Sequence, residues 1–303
     1  MPSRSDPRSI TPRLLRDWPL PVPEGDKNTR GSALVVGGSR HTPGAVLLAG
    51  IAALRAGAGV LQLAVAESTA AALSIEVPEA MVIGLPETRD GSVAGDPPER
   101  LRGLAKDAAS ITVGPGLDDI DETGALLRQV LDAAGPQAAV VLDAYALGAL
   151  SHDHDLLSGL ESRQPKVQAP GRHSRARPVV LTPNRTEARY LLGREPGDDL
   201  TRAAATLADR YGAVVSLHGH IADPEGRTWR EENGHVGLGT SGSGDVLAGI
   251  VAGLLARGAE PAQAACWGTY AHAMSGQRIA PRYGRIGFLA RELLDEVPNA
   301  LIV

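Results

Sequence analysis

The chain of 303 residues is 43% hydrophobic and 21% charged, an ordinary globular balance able to bury a large core in one or two domains. A formal net charge of −5 argues against a general binder of nucleic acid or of anionic membranes, while leaving room for a local basic pocket around a small anion. The single cysteine, Cys266, excludes an intrachain disulfide, and no stretch approaches the ~20 apolar residues that span a bilayer.

Arg4 and Arg8 precede no apolar run of the secretory kind, so a cytoplasmic protein is the expectation. Residues 1–30, rich in Pro, Arg and Asp, read as an extended arm or a short helix near Pro12–Arg16. Residues 31–303 read as one α/β domain. Ala33 to Gly37 is a short apolar run ending on glycine, as in a buried parallel strand. A Gly/Pro loop follows, then a helix from Ala45 to Ala56 and a strand from Val60 to Val65. This is a βαβ unit. The pattern recurs as a strand at 110–114, a helix at 123–134, and strands at 138–143, 178–182 and 212–217. A helix starts at Thr186, and a hairpin turns around Asp223 to Gly226. Residues 152–177 read as a polar insertion with a basic run, either a solvated loop or a lid over an anionic ligand. After Asp245 two or three helices close the chain. Strands alternating with helices predict a mostly parallel central sheet covered by helices on both faces.

Ligands of such sheets bind beyond the carboxyl ends of the strands. These ends are Gly37–Arg40, Gly114–Gly116, Asp143–Tyr145, Thr182–Asn184 and Leu217–Gly219, and they converge with the run Thr240-Ser-Gly-Ser-Gly-Asp245. A glycine-rich turn that opens a helix exposes free amides and the positive end of the helix dipole, and so holds phosphate. A carboxylate there makes sense if it takes a proton from a hydroxyl nucleophile beside the anion. The alternative is that Asp245 merely caps the helix. Neither the P-loop pattern nor the dinucleotide G-x-G-x-x-G fits this chain. Asp143 reads either as a polar ligand or as a helix N-cap. Cys266 sits in an Ala-rich run and reads as a core thiol, and His272 as a satisfied core residue. His41 reads as a solvated loop residue, and His235 carries no assigned role.

Four segments, in order, resemble one family. They are Gly37-Gly-Ser-Arg40 with Pro43–Ala45 and Ala53–Gly59, Val77-Pro-Glu-Ala-Met81, Val113-Gly-Pro-Gly-Leu117, and Gly239–Gly249. Together they are similar to the ADP/ATP-dependent NAD(P)H-hydrate dehydratases of the ribokinase-like superfamily. The resemblance implies a ribokinase-like fold and repair of NADH or NADPH that has gained water on its nicotinamide ring. ADP or ATP would phosphorylate the ring hydroxyl, and elimination would restore the dihydronicotinamide. Asp245 would be the base, and the amides of Gly242, Ser243 and Gly244 the anion hole, with Gly244 also touching the nucleotide. Ala45, Gly116 and Asn184 would contact the hydrated dinucleotide, and His218 and Gly219 the nucleotide. Mg2+ would accompany the nucleotide, and the protein would be a homo-oligomer, a tetramer by resemblance.

The chain departs from that pattern at four places, the least consequential being Lys27-Asn-Thr-Arg-Gly31 in place of His-Lys-Gly. Asn184 stands where the family has His, keeping a donor and acceptor but losing the ring. His218-Gly219 replaces Lys-Gly, removing a fixed positive charge unless Arg40 or the basic run supplies one. Tyr145 replaces the second Asp of Asp-Ala-Asp-Ala-Leu. Two other readings follow: a small-molecule hydroxyl kinase of the same fold, and a diverged nucleotide-binding paralogue without activity.

Overall fold

Continuous apolar runs of β-branched residues settle into a sheet only when both faces are covered. The computed structural model, which describes residues 6–157 and 177–303, builds such a sheet. Its elements are β1 (Arg8–Ser9), α1 (Pro12–Arg16), β2 (Ser32–Val36), α2 (Pro43–Arg55), β3 (Val60–Ala66), α3 (Glu67–Glu76), β4 (Ala80–Leu85) and α4 (Glu99–Asp107). There follow β5 (Ser110–Val113), α5 (Ile120–Ala133), β6 (Ala139–Leu142), α6 (Tyr145–His152), β7 (Val179–Leu181), α7 (Arg185–Leu192) and α8 (Leu200–Tyr211). The chain closes with β8 (Val214–Leu217), β9 (His220–Ala222), β10 (Thr228–Arg230), α9 (Ser243–Ala256), α10 (Pro261–Tyr283), α11 (Ala290–Leu293) and α12 (Val297–Ala300).

The ten strands lie in the order β1-β10-β9-β8-β7-β6-β5-β2-β3-β4. All pairings are parallel except those of β9 with β8 and β10. The chain winds from β2 outward through β3 to β4, then returns to β5 on the other side of β2. The carboxyl ends of β2 and β5 therefore flank a topological switch point, where a crevice opens. Core strands Val140–Leu142 and Val179–Leu181 are buried throughout, as their uninterrupted apolar sequence requires.

Expected strands and helices appear within a few residues of their sequence bounds. Helices α3, α4 and α8 and strand β4 were not anticipated. In α3 only Leu73 is buried, and in α4 only Leu101 and Ala105, so neither carries a full apolar stripe. The closing segment holds four helices rather than two or three, the last two being four-residue turns. Most of the 152–177 insertion, residues 158–176, lies outside the described residues. Its last residue, Arg177, donates from Nη1 to Leu131 O and from Nη2 to Ala134 O at 2.9 Å each, closing the end of α5. The early arm is docked on the fold. Strand β1 pairs with β10, Trp18 stacks on Trp229 at 5.9 Å, and Trp267 Nε1 donates to Trp18 O at 2.9 Å.

Helix α9 sets the site. It is apolar on nearly every side and almost wholly buried, and it packs chiefly on α2. A Cβ at Gly249 would come within 2.1 Å of Ala49 O, and one at Gly253 within 2.2 Å of Ala53 O. The two helices touch backbone to backbone, which only glycine on α9 permits.

Candidate active site

The turn that opens α9 is held by packing on two sides. Gly242, its N-cap, has φ +87°, and a Cβ there would meet Leu48 Cδ1 of α2 at 2.6 Å. Ser243 donates its amide to Thr240 O at 3.2 Å. Its buried hydroxyl lies 2.8 Å from Nε2 of His272 on α10. The amides of Gly242, Gly244 and Asp245 have no acceptor among the described residues, so they are the donors left for an anion. A Cβ at Gly244 would meet nothing within 4 Å, so the space on the side-chain side of its Cα is open. The Ser243 amide is thus engaged within the turn, while those of Gly242, Gly244 and Asp245 stay unpaired among the described residues.

Asp245 stands in the first turn of α9. Burial, with repulsion from Asp143 added, pushes its carboxyl up to about 7. Among the described residues no cation or hydrogen-bond donor holds its carboxylate. A carboxylate so placed is a base poised near neutral pH.

Two further carboxylates share its field. Asp143 follows β6, is buried, and accepts from Thr182 Oγ1 at 2.8 Å. Burial pushes it up to about 6 against that hydrogen bond and one from the Ala144 amide. The N-cap of α6 is Ala144, with no side-chain cap, so the capping reading of Asp143 fails and the carboxylate faces the site. Ala144 itself has φ +48°, a left-handed conformation costly to a residue with a Cβ. Glu187 in α7 is pushed up to about 7 by burial first, then by Asp143 and Asp245. Sequence reasoning missed Glu187. Its signal was the spacing Asn184-x-x-Glu187, which also forms a capping box: Asn184 Oδ1 accepts from Glu187 N at 2.9 Å, and Glu187 Oε2 from Asn184 N at 2.8 Å. Asn184 therefore works first as a helix cap.

On the other flank the loops after β2 and β5 are stitched together. Gly38 N donates to Pro115 O at 2.8 Å, Ser39 N to Gly116 O and Thr42 Oγ1 to Gly116 O at 2.7 Å. A Cβ at Gly116, whose φ is +70°, would lie 2.4 Å from Thr42 O and 3.0 Å from Ala45 Cβ, so Gly116 and Ala45 are neighbours. Ala45 is one turn before Leu48, which touches Gly242, and this crevice joins the turn of α9. A Cβ at Gly114 would fall 1.8 Å from Asp143 O, binding the same loop to the acidic side.

His218 and Gly219 stand apart from this cluster. They form the two-residue turn between β8 and β9, both at positive φ, +49° and +85°. His218 is exposed. Arg40 supplies no charge there, because its guanidinium is paired with Glu87 at 2.7 Å. His272 is satisfied, as expected, but its partner is the phosphate turn, a contact that residues 29 positions apart do not advertise. Burial lowers its pKa to about 4 despite a bond to the Ser243 backbone, so the ring is neutral. His235 proves to cap a 3-10 turn at Val236–Gly239, its Nδ1 accepting from Gly237 N at 3.1 Å. His41 is exposed, and Cys266 is a buried core thiol.

Residues 33–299 match the family profile described as NAD(P)H-hydrate dehydratase. The chain is 43% identical, over 97% of its length and 96% of the relative's, to an ADP-dependent (S)-NAD(P)H-hydrate dehydratase of Xanthomonas campestris. It is 35% identical over 91% of its length to a bifunctional NAD(P)H-hydrate repair enzyme of Moorella thermoacetica, but spans only 50% of that protein. Among solved structures it is similar to an ADP/ATP-dependent NAD(P)H-hydrate dehydratase of Bacillus subtilis co-crystallised with ATP/Mg2+. That likeness has a TM-score of 0.77 and 28% identity, covering 97% of this chain and 98% of that one. A ribokinase-like superfamily protein of Enterococcus faecalis, 22% identical, shares the fold with a TM-score of 0.77.

Proposed function

The chain belongs to the NAD(P)H-hydrate dehydratase family, and from that premise we propose how its site carries the reaction. The protein is an ADP/ATP-dependent NAD(P)H-hydrate dehydratase, a carbon–oxygen lyase that repairs hydrated nicotinamide nucleotides. The observation that carries the mechanism is Asp245, half-buried, held by no cation among the described residues, and raised to about 7 beside free helix amides.

In the proposed sequence Asp245 accepts the proton of the ring hydroxyl as its oxygen attacks the terminal phosphorus of ADP or ATP. The amides of Gly242, Gly244 and Asp245 donate to the phosphoryl oxygens where charge builds up. The bond from phosphorus to the leaving nucleotide breaks, releasing AMP or ADP. The ring C–O bond then breaks, its electrons leaving with inorganic phosphate. The neighbouring ring carbon loses a proton, and the double bond of the dihydronicotinamide returns. Ala45 and Gly116 line the crevice proposed for the dinucleotide, and Asn184 stands at its acidic end. His218 and Gly219 are proposed to border the nucleotide.

The described residues include no group of three or more His, Cys, Asp or Glu placed to hold a metal ion. Mg2+ needs no such cage, since it commonly keeps waters and takes one or two carboxylates plus the phosphates of its nucleotide. Asp143 and Glu187, both raised by burial, fit that part and would hold it. Bound there, the ion would neutralise phosphate charge. The protein is further proposed to be a homo-oligomer acting in the cytoplasm, the first checked by sedimentation of the purified chain. No described helix is long and apolar enough to cross a membrane.

The test is to incubate the chain with hydrated NADH and either ADP or ATP and follow dihydronicotinamide absorbance. Recovery is expected with at least one nucleotide. No recovery with either overturns the reading.

A further inference from the structure

The adjacent parallel strands β2, β3 and β4 each pass the chain to a different structure at their carboxyl ends. These are the crevice loop 37–42, the first turn of α3, and the excursion 86–95 that leads to α4. The side chain of Glu87 joins all three. Its Oε1 accepts from Ser68 N, in the first turn of α3, at 2.6 Å. Its Oε2 accepts from Arg40 Nε at 2.9 Å and lies 2.7 Å from Arg40 Nη2. Both carboxylate oxygens are thus engaged by donors. The Ser68 amide first, and Arg40 after it, holds the carboxyl below the usual carboxylate range against the cost of burial. The excursion is itself stiffened: Glu87 bridges Val93, Thr88 N donates to Ser92 O at 2.9 Å, and Ala94 N to Pro86 O at 2.8 Å. Near its tip Gly91 O accepts from Arg40 N at 2.9 Å, and a Cβ at Gly91, whose φ is +92°, would meet Arg40 Cβ at 2.9 Å. Arg40 is therefore gripped through both its backbone and its side chain.

The gripped loop is one wall of the crevice. On one side Ser39 N and Thr42 Oγ1 tie it to Gly116 O, and on the other Arg40 ties it to Glu87. An ion pair whose arginine is 43% exposed adds little to global stability, so its worth lies in where it holds the loop. We propose that Glu87 is a positioning residue for the hydrated dinucleotide: through Arg40 it holds the loop after β2 at the spacing from Gly116 that the crevice needs to admit its substrate. Glu87 touches no reacting atom, so it sets affinity and leaves the transfer at Asp245 unchanged. The assignment rests on the dehydratase reading.

Equilibrium titration with hydrated NADH in the absence of nucleotide, beside steady-state rates with ADP or ATP, tests it on the wild type, Glu87→Ala, Glu87→Gln, Arg40→Ala and Arg40→Lys. Glu87→Ala and Arg40→Ala are each expected to raise Kd and KM for hydrated NADH about fivefold, with kcat and the KM of the nucleotide within about twofold. Glu87→Gln, which turns an amide N–H toward one of the two donors, is expected to match Glu87→Ala. Arg40→Lys, which keeps the charge but loses the fork, is expected to recover part of the affinity. The double alanine variant is expected to bind no more than about twofold worse than the weaker single one, because the two side chains act as a unit. An unchanged Kd with a lowered Tm makes the pair structural only and overturns the proposal. So does a rise confined to the KM of ADP or ATP, or a Glu87→Gln variant that binds like the wild type. If Glu87→Ala fails to fold, Arg40→Ala carries the test from the exposed side of the pair. A wild type that binds hydrated NADH without restoring dihydronicotinamide overturns the dehydratase reading, and the titrations still decide this assignment. One that does neither overturns both, whereas an active wild type with unaffected variants overturns only this assignment.

Discussion

The turn that opens α9 and the turn between β8 and β9 both rest on residues at positive φ, yet they are fixed by different means. Gly242 is locked by Leu48 on one side and followed by Ser243, whose hydroxyl meets His272 on the other. His218 and Gly219 are held by the pairing of Leu217 with His220 across a two-residue hairpin and by Glu231 N, which donates to Gly219 O at 2.8 Å, and the side chain of His218 is exposed. Chemistry placed on the first turn is constrained by three helices. Chemistry placed on the second can change residue type without moving the backbone.

The widest separation between the two turns should come from Asp245→Asn. It is expected to lower kcat by about 10²- to 10⁴-fold with the fold kept, measured by rates and circular dichroism, and full retained rate would remove Asp245 as the base. The same variant tests the electrostatics. Asp245 is raised from 3.8 to about 7 in the fold, so the folded state binds its proton more tightly than the unfolded chain. Stability is therefore lost as pH rises from the unfolded value through about 7. Asp245→Asn should raise Tm at about pH 8 and much less at about pH 5, by on the order of 1–3 kcal/mol at the higher pH. For the wild type, kcat/KM should fall about tenfold per pH unit below the pKa of the base.

Next in size is the helix seam. Gly249→Ala places a methyl within 2.1 Å of Ala49 O, and α9 must shift to admit it. The expected cost is about 1–3 kcal/mol in chemical denaturation, with kcat falling as the turn moves. An unchanged midpoint would show that the seam does not position the turn. His272→Ala, which removes one neutral hydrogen bond, should lower kcat by about two- to tenfold and leave the KM for hydrated NADH nearly unmoved. An unaltered kcat would separate His272 from the turn.

The smallest effects belong to the hairpin. His218→Gly removes a left-handed strain of ~1–2 kcal/mol but adds ~0.5–1 kcal/mol of backbone entropy to the unfolded chain. Net stability should change by less than about 1 kcal/mol, read by chemical denaturation. His218→Lys should lower the KM for ADP or ATP by no more than about fivefold, the scale of one exposed charge. A larger drop would make this turn an equal partner of the α9 turn.

Much was legible before any fold was in hand. The apolar runs at 33–36, 139–142 and 179–181 announce buried strands because a strand covered on both faces has no polar side to show. The string Gly242-Ser-Gly-Asp245 announces an anion turn because backbone amides and glycine sterics are local properties. Glu187 was not legible as a site residue, because within its own segment it is fully explained as the second half of a capping box. It becomes a site residue only because β7 lies beside β6 in the sheet, which brings Asp143 and Asp245 into its field. The same holds for His272 and for Glu87, whose partners come from separate segments of the chain. Sequence by itself determined most of the core strands and the glycine turn that opens α9, since periodicity, capping and left-handed glycines act over a few residues. Tertiary structure alone decided which carboxylates repel one another and which helices touch, since burial and Coulomb forces depend on neighbours in space.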